Sequence, residues 1–264
     1  MPLSRLAARY EQFIVDLDGC VWIGDEATPG VADAVGAVRE AGKRIAFATN
    51  DPRAATEDYV TRLWGVGIKA SLADVVTVGG ALQHLLADTR RGRTAFVIGT
   101  PALKRHVSDA GLRVLNGTDL ASRAEVVIVA GTEDFVYDDL RNATLALRRG
   151  ADFIATGRDP TYPQPDGFWP GTGAIVVAVE YASGMTAEVV GKPQPQLLLT
   201  ALDRMGGGRT LVVGDRVDTD LGAAAAAELD AALVLTGEAT AADAEAADPK
   251  PVAVASTLAE LLTG

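Results

Sequence analysis

Thiol and imidazole are almost missing from this 264-residue chain. Cys20 is its single cysteine, so no intrachain disulfide can form and a zinc cluster of several thiolates is excluded. His84 and His106 are the only histidines, and neither has another candidate ligand near it in sequence, which leaves little for histidine-based catalysis. Long apolar runs are lacking as well. No uninterrupted stretch is long enough to cross a bilayer, and residues 1–12 carry charges in place of the apolar core of a secretory signal. The expectation is a cytoplasmic protein with no membrane partner. Positive charge is scarce: 24 Lys and Arg stand against 35 Asp and Glu, a formal net charge of -11. Most of that surface would repel a phosphate backbone, so nucleic acid is not an expected partner. A small anion is still a possible ligand, because a metal and a lysine can make one site locally positive. No repeat of solenoid period is visible.

What is present is ordinary for a folded globular chain, 48% hydrophobic and 22% charged. Its order is strand, then helix, repeatedly. Phe13-Ile14-Val15 runs as a strand into Asp16. Thr28-Pro29-Gly30 reads as a helix entry with Thr28 as cap, followed by Val31, Val35 and Val38 on one helical face and a stop at Gly42. A second strand, 44–48, ends at Thr49-Asn50-Asp51. A helix near Arg53 follows, with Val60, Leu63 and Trp64 as its buried stripe. Val75 to Val78 is a short strand and 79–87 a helix. A polar stretch, 88–93, marks a boundary, beyond which a new series opens at Ala95 with strands at 125–130 and 152–155. A long loop, 156–173, holds Tyr162, Phe168 and Trp169, and its aromatics favour a structured role. The series resumes at 187–190, continues with helix 194–205 and strand 210–213, and ends with strand 232–235 and a short helix near 257–262. This alternation predicts an α/β protein with a doubly wound parallel sheet. The expected division is a core of 1–91 and 187–264 interrupted by a smaller α/β insert, 92–186.

Four turns follow four of these strands, and they carry the chemistry: Asp16 with Asp18, Thr49 with Asn50, Lys192, and Asp215 with Asp218 and Asp220. In an open parallel sheet such turns gather at the carboxyl edge, where ligands bind. Phosphoryl transfer needs a nucleophile in line with phosphorus and cations on the other oxygens. Asp16 can be that nucleophile. Asp18 can give the leaving oxygen a proton and later take one from water. Two or three carboxylates suffice for a magnesium ion, which prefers oxygen ligands. Lys192 supplies a compact positive charge for nucleophile and phosphate, and the Thr49 hydroxyl can donate to phosphate oxygens. Each turn also has a plainer reading. Asp18-Gly19 can simply reverse the chain, Thr49-Asn50-Asp51 can cap a helix, Lys192 can be a solvated lysine in a turn, and Asp215 to Asp220 can be a solvated acidic loop.

Taken together, Asp16-Leu17-Asp18-Gly19, Thr49-Asn50, Lys192 and Gly214-Asp215 through Asp220 resemble the four motifs of the haloacid-dehalogenase-like phosphatase superfamily. The resemblance covers nearly the whole chain. The insert, with Ala155-Thr156, Pro170-Gly171-Thr172-Gly173 and Val190-Gly191-Lys192-Pro193, is similar to the branch with the larger cap. That branch holds p-nitrophenyl phosphate, phosphoglycolate, glycerol-phosphate, pyridoxal-phosphate and nucleotide phosphatases. The resemblance implies a Rossmann-like core and a Mg2+-dependent enzyme. Asp16 would be nucleophile and metal ligand, Asp18 acid/base with its carbonyl on the metal, and Asp215 a metal ligand. It also implies that Thr49 and Asn50 contact phosphate, that Lys192 orients it, that Asp220 steadies the metal turn and that Tyr162 reaches the leaving group. Three positions depart from the pattern. Asp51 replaces a common second asparagine and brings an extra negative charge near the site, which either weakens binding of a phosphate dianion or favours a polyol or cationic leaving group; Gly157 and Glu228 replace an asparagine and a glycine. The expected partner is a small phosphorylated metabolite, with a homodimer through the cap as the expected assembly. Rival readings are a phosphotransferase or mutase sharing the same intermediate, and a non-catalytic phosphometabolite-binding protein. A dehalogenase fits less well, since its chemistry does not need the acids at Asp18 and Asp215.

Overall fold

The computed structural model describes residues 1–164 and 167–264, with the side chains of 162–168 outside that description. The chain forms two compact units. The first comprises residues 1–49, 56–76 and 192–264; the second comprises 50–55 and 77–191. Among the described residues no helix is long and apolar enough to cross a membrane.

The first unit is built on a six-stranded sheet. Its order is Ala253–Ala255, Asp230–Val234, Thr210–Gly214, Gln12–Asp16, Arg44–Thr49 and Val75–Thr77. Gln12–Asp16 lies at the centre, parallel to both neighbours, with Val15 beside Val213 on one side and Phe47 on the other. Phe13, Ile14 and Val15 are all buried, which is why this strand reads as an unbroken apolar run: both faces are covered. The chain winds outward from this strand in one direction through Arg44–Thr49 and in the other through Thr210–Gly214. The switch point therefore falls between the carboxyl ends of Gln12–Asp16 and Thr210–Gly214, the place where doubly wound sheets open a crevice.

The second unit has its own five-stranded sheet, ordered Glu188–Val189, Asp152–Ala155, Val126–Val129, Thr94–Ile98, Arg113–Val114, with every pairing parallel. Val127 and Val129 from the sheet pack with Ala143 and Leu147 of helix Tyr137–Leu147 and with Val176 and Val179 of helix Thr172–Ser183. The long aromatic loop contains an antiparallel hairpin, Thr161–Gln164 with Gly167–Pro170.

Several local expectations change. Thr28 does not cap the helix that follows. The helix is Val31–Glu40, with Gly30 before it, and the buried Thr28 hydroxyl donates to the Cys20 carbonyl at 2.7 Å. The next helix begins at Thr56, and its buried side chains are Tyr59 and Leu63. Trp64 is 64% exposed, its indole N–H donating to the Ala70 carbonyl. The helix Val78–Thr89, placed by sequence before the boundary, belongs to the second unit, where Gln83 meets His106 at 2.7 Å. Glu188–Val189 also pairs in the second sheet, against Ile154 and Ala155. The helix Ala241–Ala246 and the edge strand Ala253–Ala255 have no counterpart in the sequence reading.

Candidate active site

Asp16 ends the central strand, and Asp215 follows the neighbouring strand directly. Parallel pairing in register, ending with Val15 beside Val213, brings the two acids to the same edge. Gly214 lets the turn after its strand fold tightly back, since a Cβ there would come within 2.1 Å of the Asp220 Cβ. Residues 217–221 form a single wide π-type turn, which buries Asp220. Its carboxylate accepts the Arg216 backbone N–H at 3.1 Å through one oxygen. The other oxygen takes a hydrogen bond from Lys192 Nζ at 2.6 Å. Lys192 also donates to Asp16 and, at 3.4 Å, to the Ala48 carbonyl. One buried ammonium thus joins the carboxylates of two different strand ends.

Asp215 is held from both sides. The backbone N–H of Glu238 donates to Oδ2 at 2.9 Å, and the Ala239 N–H donates to the Asp215 carbonyl at 3.0 Å. Gly19 and Gly237 flank the carboxylate so closely that a Cβ would fall 2.4 Å and 1.8 Å from Oδ2, respectively. Gly19 has φ +80, a left-handed conformation that glycine adopts without strain. Thr236 donates its hydroxyl to the Gly19 carbonyl and ties the two flanking loops together.

The electrostatics show what this cluster is short of. Three carboxylates, Asp16, Asp215 and Asp220, face one ammonium, leaving two formal negative charges. Burial pushes Asp16 well above the usual carboxylate range; Lys192 opposes the rise, and Asp220 and Asp215 add to it. Burial, and then Asp220, raise Asp215 to about 6 despite the Glu238 N–H. Burial works against the Lys192 charge too, but Asp16 and Asp220 outweigh it and hold the lysine above its ordinary value. A divalent cation would remove the imbalance. Ligand atoms of Asp16, Asp215 and Cys20 lie within 4.8 Å of one another. Burial, followed by the carboxylates, raises the Cys20 thiol well above its ordinary value, which keeps it protonated and a poor ligand. The oxygen donors therefore fit a hard cation that completes its shell with water.

Other expected residues take different positions. The side chain of Asp18 is exposed and accepts the Trp22 indole N–H at 2.9 Å. Its carboxylate stands outside the Asp16–Cys20–Asp215 group. Thr49 is buried at the end of its strand. Asn50 and Asp51 fall in the second unit. There Gly191 allows close passage of Asn50, since a Cβ on it would come within 2.7 Å of Asn50 Oδ1. Asp51 is matched by Arg53, which approaches it at 2.8 and 3.1 Å, so its charge is largely offset. Asp218 is occupied by Arg216 at 2.9 Å, and Arg216 also reaches Glu238 at 3.0 Å. The side chain of Tyr162 lies outside the described residues. Two groups escaped the sequence reading: Trp22, and the 236–238 loop that fixes Asp215. Trp22 follows Asp18 by four positions, and Gly237 sits just past a strand end. Neither spacing is distinctive without the fold.

Comparisons with known proteins point to one family. A model of haloacid dehalogenase-like hydrolases matches residues 13–113, and a second model of HAD-like hydrolases matches 189–261. The D-glycerol 3-phosphate phosphatase of Mycobacterium tuberculosis is 36% identical over 248 residues, covering 94% of this chain and 69% of the relative. An acid sugar phosphatase of Staphylococcus saprophyticus is 30% identical over 255 residues, covering 96% and 97%. The crystal structure of the M. tuberculosis glycerol phosphate phosphatase in complex with magnesium superposes with a TM-score of 0.91 at 36% identity, over 98% of this chain and 78% of that one. With two parallel sheets, one inserted into the other, and acids gathered at the switch point, the chain belongs to the haloacid dehalogenase-like hydrolases, in the large-cap branch of the p-nitrophenyl and glycerol-phosphate phosphatases.

Proposed function

We propose that this protein is a magnesium-dependent phosphatase of small phosphate monoesters, acting through an aspartyl-phosphate on Asp16. The observation that carries the reading is the buried Lys192 joined to Asp16 and Asp220 beside Asp215. Asp16 and Asp215 would hold magnesium, which offsets the excess negative charge and that of the incoming phosphate. An Asp16 oxygen attacks phosphorus while the bond to the leaving oxygen breaks, and Asp18 gives that oxygen its proton. Water then attacks the same phosphorus and loses a proton to Asp18. The bond to Asp16 breaks, releasing inorganic phosphate and restoring both acids. Lys192 keeps the Asp16 oxygen aimed and balances charge on the phosphoryl oxygens. Thr49 and Asn50 are assigned to the phosphate and Tyr162 to the leaving group.

The relatives' names support a polyol or sugar phosphate as substrate. Pairing with Arg53 leaves Asp51 with less negative charge to repel a phosphate dianion. The reading includes a cytoplasmic location and a homodimer through the second unit, supported by Val177 and Tyr181 exposed on helix Thr172–Ser183; sedimentation at micromolar protein tests the dimer. The functional test is phosphate release by Asp16→Asn on a panel of glycerol, glycolate, sugar, nucleotide and pyridoxal phosphates with magnesium. The wild type turns over at least one of them and the variant none; an active variant overturns the assignment. Acceptor sugars added to the wild type distinguish hydrolysis from transfer.

A further inference from the structure

An acid/base group has to be held in place as well as present, and Asp18 sits on an exposed turn. The turn itself is closed by backbone. Val21 N–H donates to the Leu17 carbonyl and Gly19 N–H to the Trp22 carbonyl, both at 2.8 Å. On the side-chain level, the Trp22 indole N–H donates to Asp18 Oδ1 at 2.9 Å. That indole is fully buried, and its backbone is pinned in a short strand, with Trp22 opposite Ala27. The guanidinium of Arg62, from helix Thr56–Gly65, lies 4.0 Å over the ring centroid. Arg62 is itself anchored by donating to the Gly24 carbonyl, with Asp25 at 3.9 Å. An indole nitrogen can only donate, and a cation over the ring face is attracted to it. Trp22 therefore offers Asp18 a rigid, one-way hydrogen bond, on a side chain that has no freedom to leave.

Resting on the phosphatase reading above, we infer that Trp22 is the positioning residue for the acid/base Asp18 and that Arg62 clamps the indole in place. The arrangement serves both proton steps: donation to a poor alkoxide leaving group and removal of a proton from the attacking water. It does not serve the attack of Asp16 itself. The three steps can be separated by choice of substrate. Nitrophenolate leaves without general-acid help, whereas glycerol 3-phosphate loses an alkoxide that requires a proton.

The test is rapid-quench and steady-state kinetics of Trp22→Phe with both substrates and magnesium. With glycerol 3-phosphate, kcat falls about 10- to 100-fold, part of the range that general acid–base catalysis supplies, while KM stays within about twofold. With p-nitrophenyl phosphate the first burst of nitrophenolate keeps its rate and only the turnover after it slows. Arg62→Leu retains the N–H and falls between wild type and Trp22→Phe. Because Phe leaves space, Trp22→3-benzothienylalanine, which keeps the indole shape and lacks only the N–H, serves as the second variant and reproduces the Phe kinetics at an unchanged melting temperature. Equal losses on both substrates and in both phases mean that Trp22 is only structural and overturn the inference, as does an unchanged kcat on glycerol 3-phosphate. A wild type inert toward p-nitrophenyl phosphate and toward every phosphate of the panel overturns the phosphatase reading and this inference together.

Discussion

Asp215 carries a cost in the metal-free protein that can be measured as stability. Its carboxyl titrates at about 6 in the fold against 3.8 when unperturbed, chiefly because it is buried and then because Asp220 is near. Between those values the folded state holds a proton that the unfolded chain has already lost. Stability therefore falls as pH rises through this window, and the full penalty is present above it. At about 1.4 kcal/mol for each tenfold in proton affinity, the penalty is about 3 kcal/mol. Asp215→Asn keeps a carbonyl oxygen for the Glu238 N–H and removes the charge. In EDTA at pH 7.5 the variant should melt above the wild type, by up to about 10 °C for a protein of this size. At pH 4 the two should melt together. Magnesium reverses the order: at 100 times its Kd it adds about 2.7 kcal/mol to the wild type and little to the variant. Thermal melts followed by circular dichroism, with and without metal at both pH values, provide the assay. Equal melting temperatures at pH 7.5 in EDTA would refute the claim that uncompensated charge burdens this site.

Gly237→Ala would place a methyl carbon 1.8 Å from Asp215 Oδ2 and must move the carboxylate. Magnesium affinity measured by titration calorimetry should drop about 10- to 100-fold, as for other losses of support around a metal ligand. Glu228 has φ 57, the only non-glycine with positive φ among the described residues, so Glu228→Gly should remove left-handed strain of about 1 kcal/mol and raise the melting temperature by about 2–4 °C. A lower melting temperature would show that the side chain earns its position.

The parts of the fold that could be read in the sequence are those where local pattern and burial agree. Phe13–Val15 is apolar on both faces because it is the middle strand of a parallel sheet, and strand ends in such a sheet share an edge. The meeting of Asp16 with Asp215 and with the turn that carries Asp220 follows from that rule; Lys192 does not, since the strand before it, Glu188–Val189, pairs in the second sheet. Thr28 shows where it fails: a threonine before Pro29 has the pattern of a cap, yet burial beside Cys20 gives its hydroxyl a carbonyl instead. The helical pattern puts Trp64 in the buried stripe because large apolar side chains dominate it, whereas Tyr59 and Leu63 set the buried face. The edge strand Ala253–Ala255 is too short to display a period. Helix Val78–Thr89 has no local mark of the unit it joins, since its contact from Gln83 to His106 spans 23 residues. The hold of Trp22 on Asp18 and of Gly237 on Asp215 depends on side-chain direction and loop closure, for which sequence spacing has no signature.

The central claim is a covalent bond between phosphorus and Asp16, and borohydride trapping tests it most directly. Enzyme turning over glycerol 3-phosphate or p-nitrophenyl phosphate with magnesium is quenched in the steady state and reduced, which converts an aspartyl-phosphate to homoserine. Peptide mass spectrometry should find homoserine at position 16, absent without substrate and absent in Asp16→Asn. Continued turnover with unmodified Asp16, or with the label on another residue, would contradict the account.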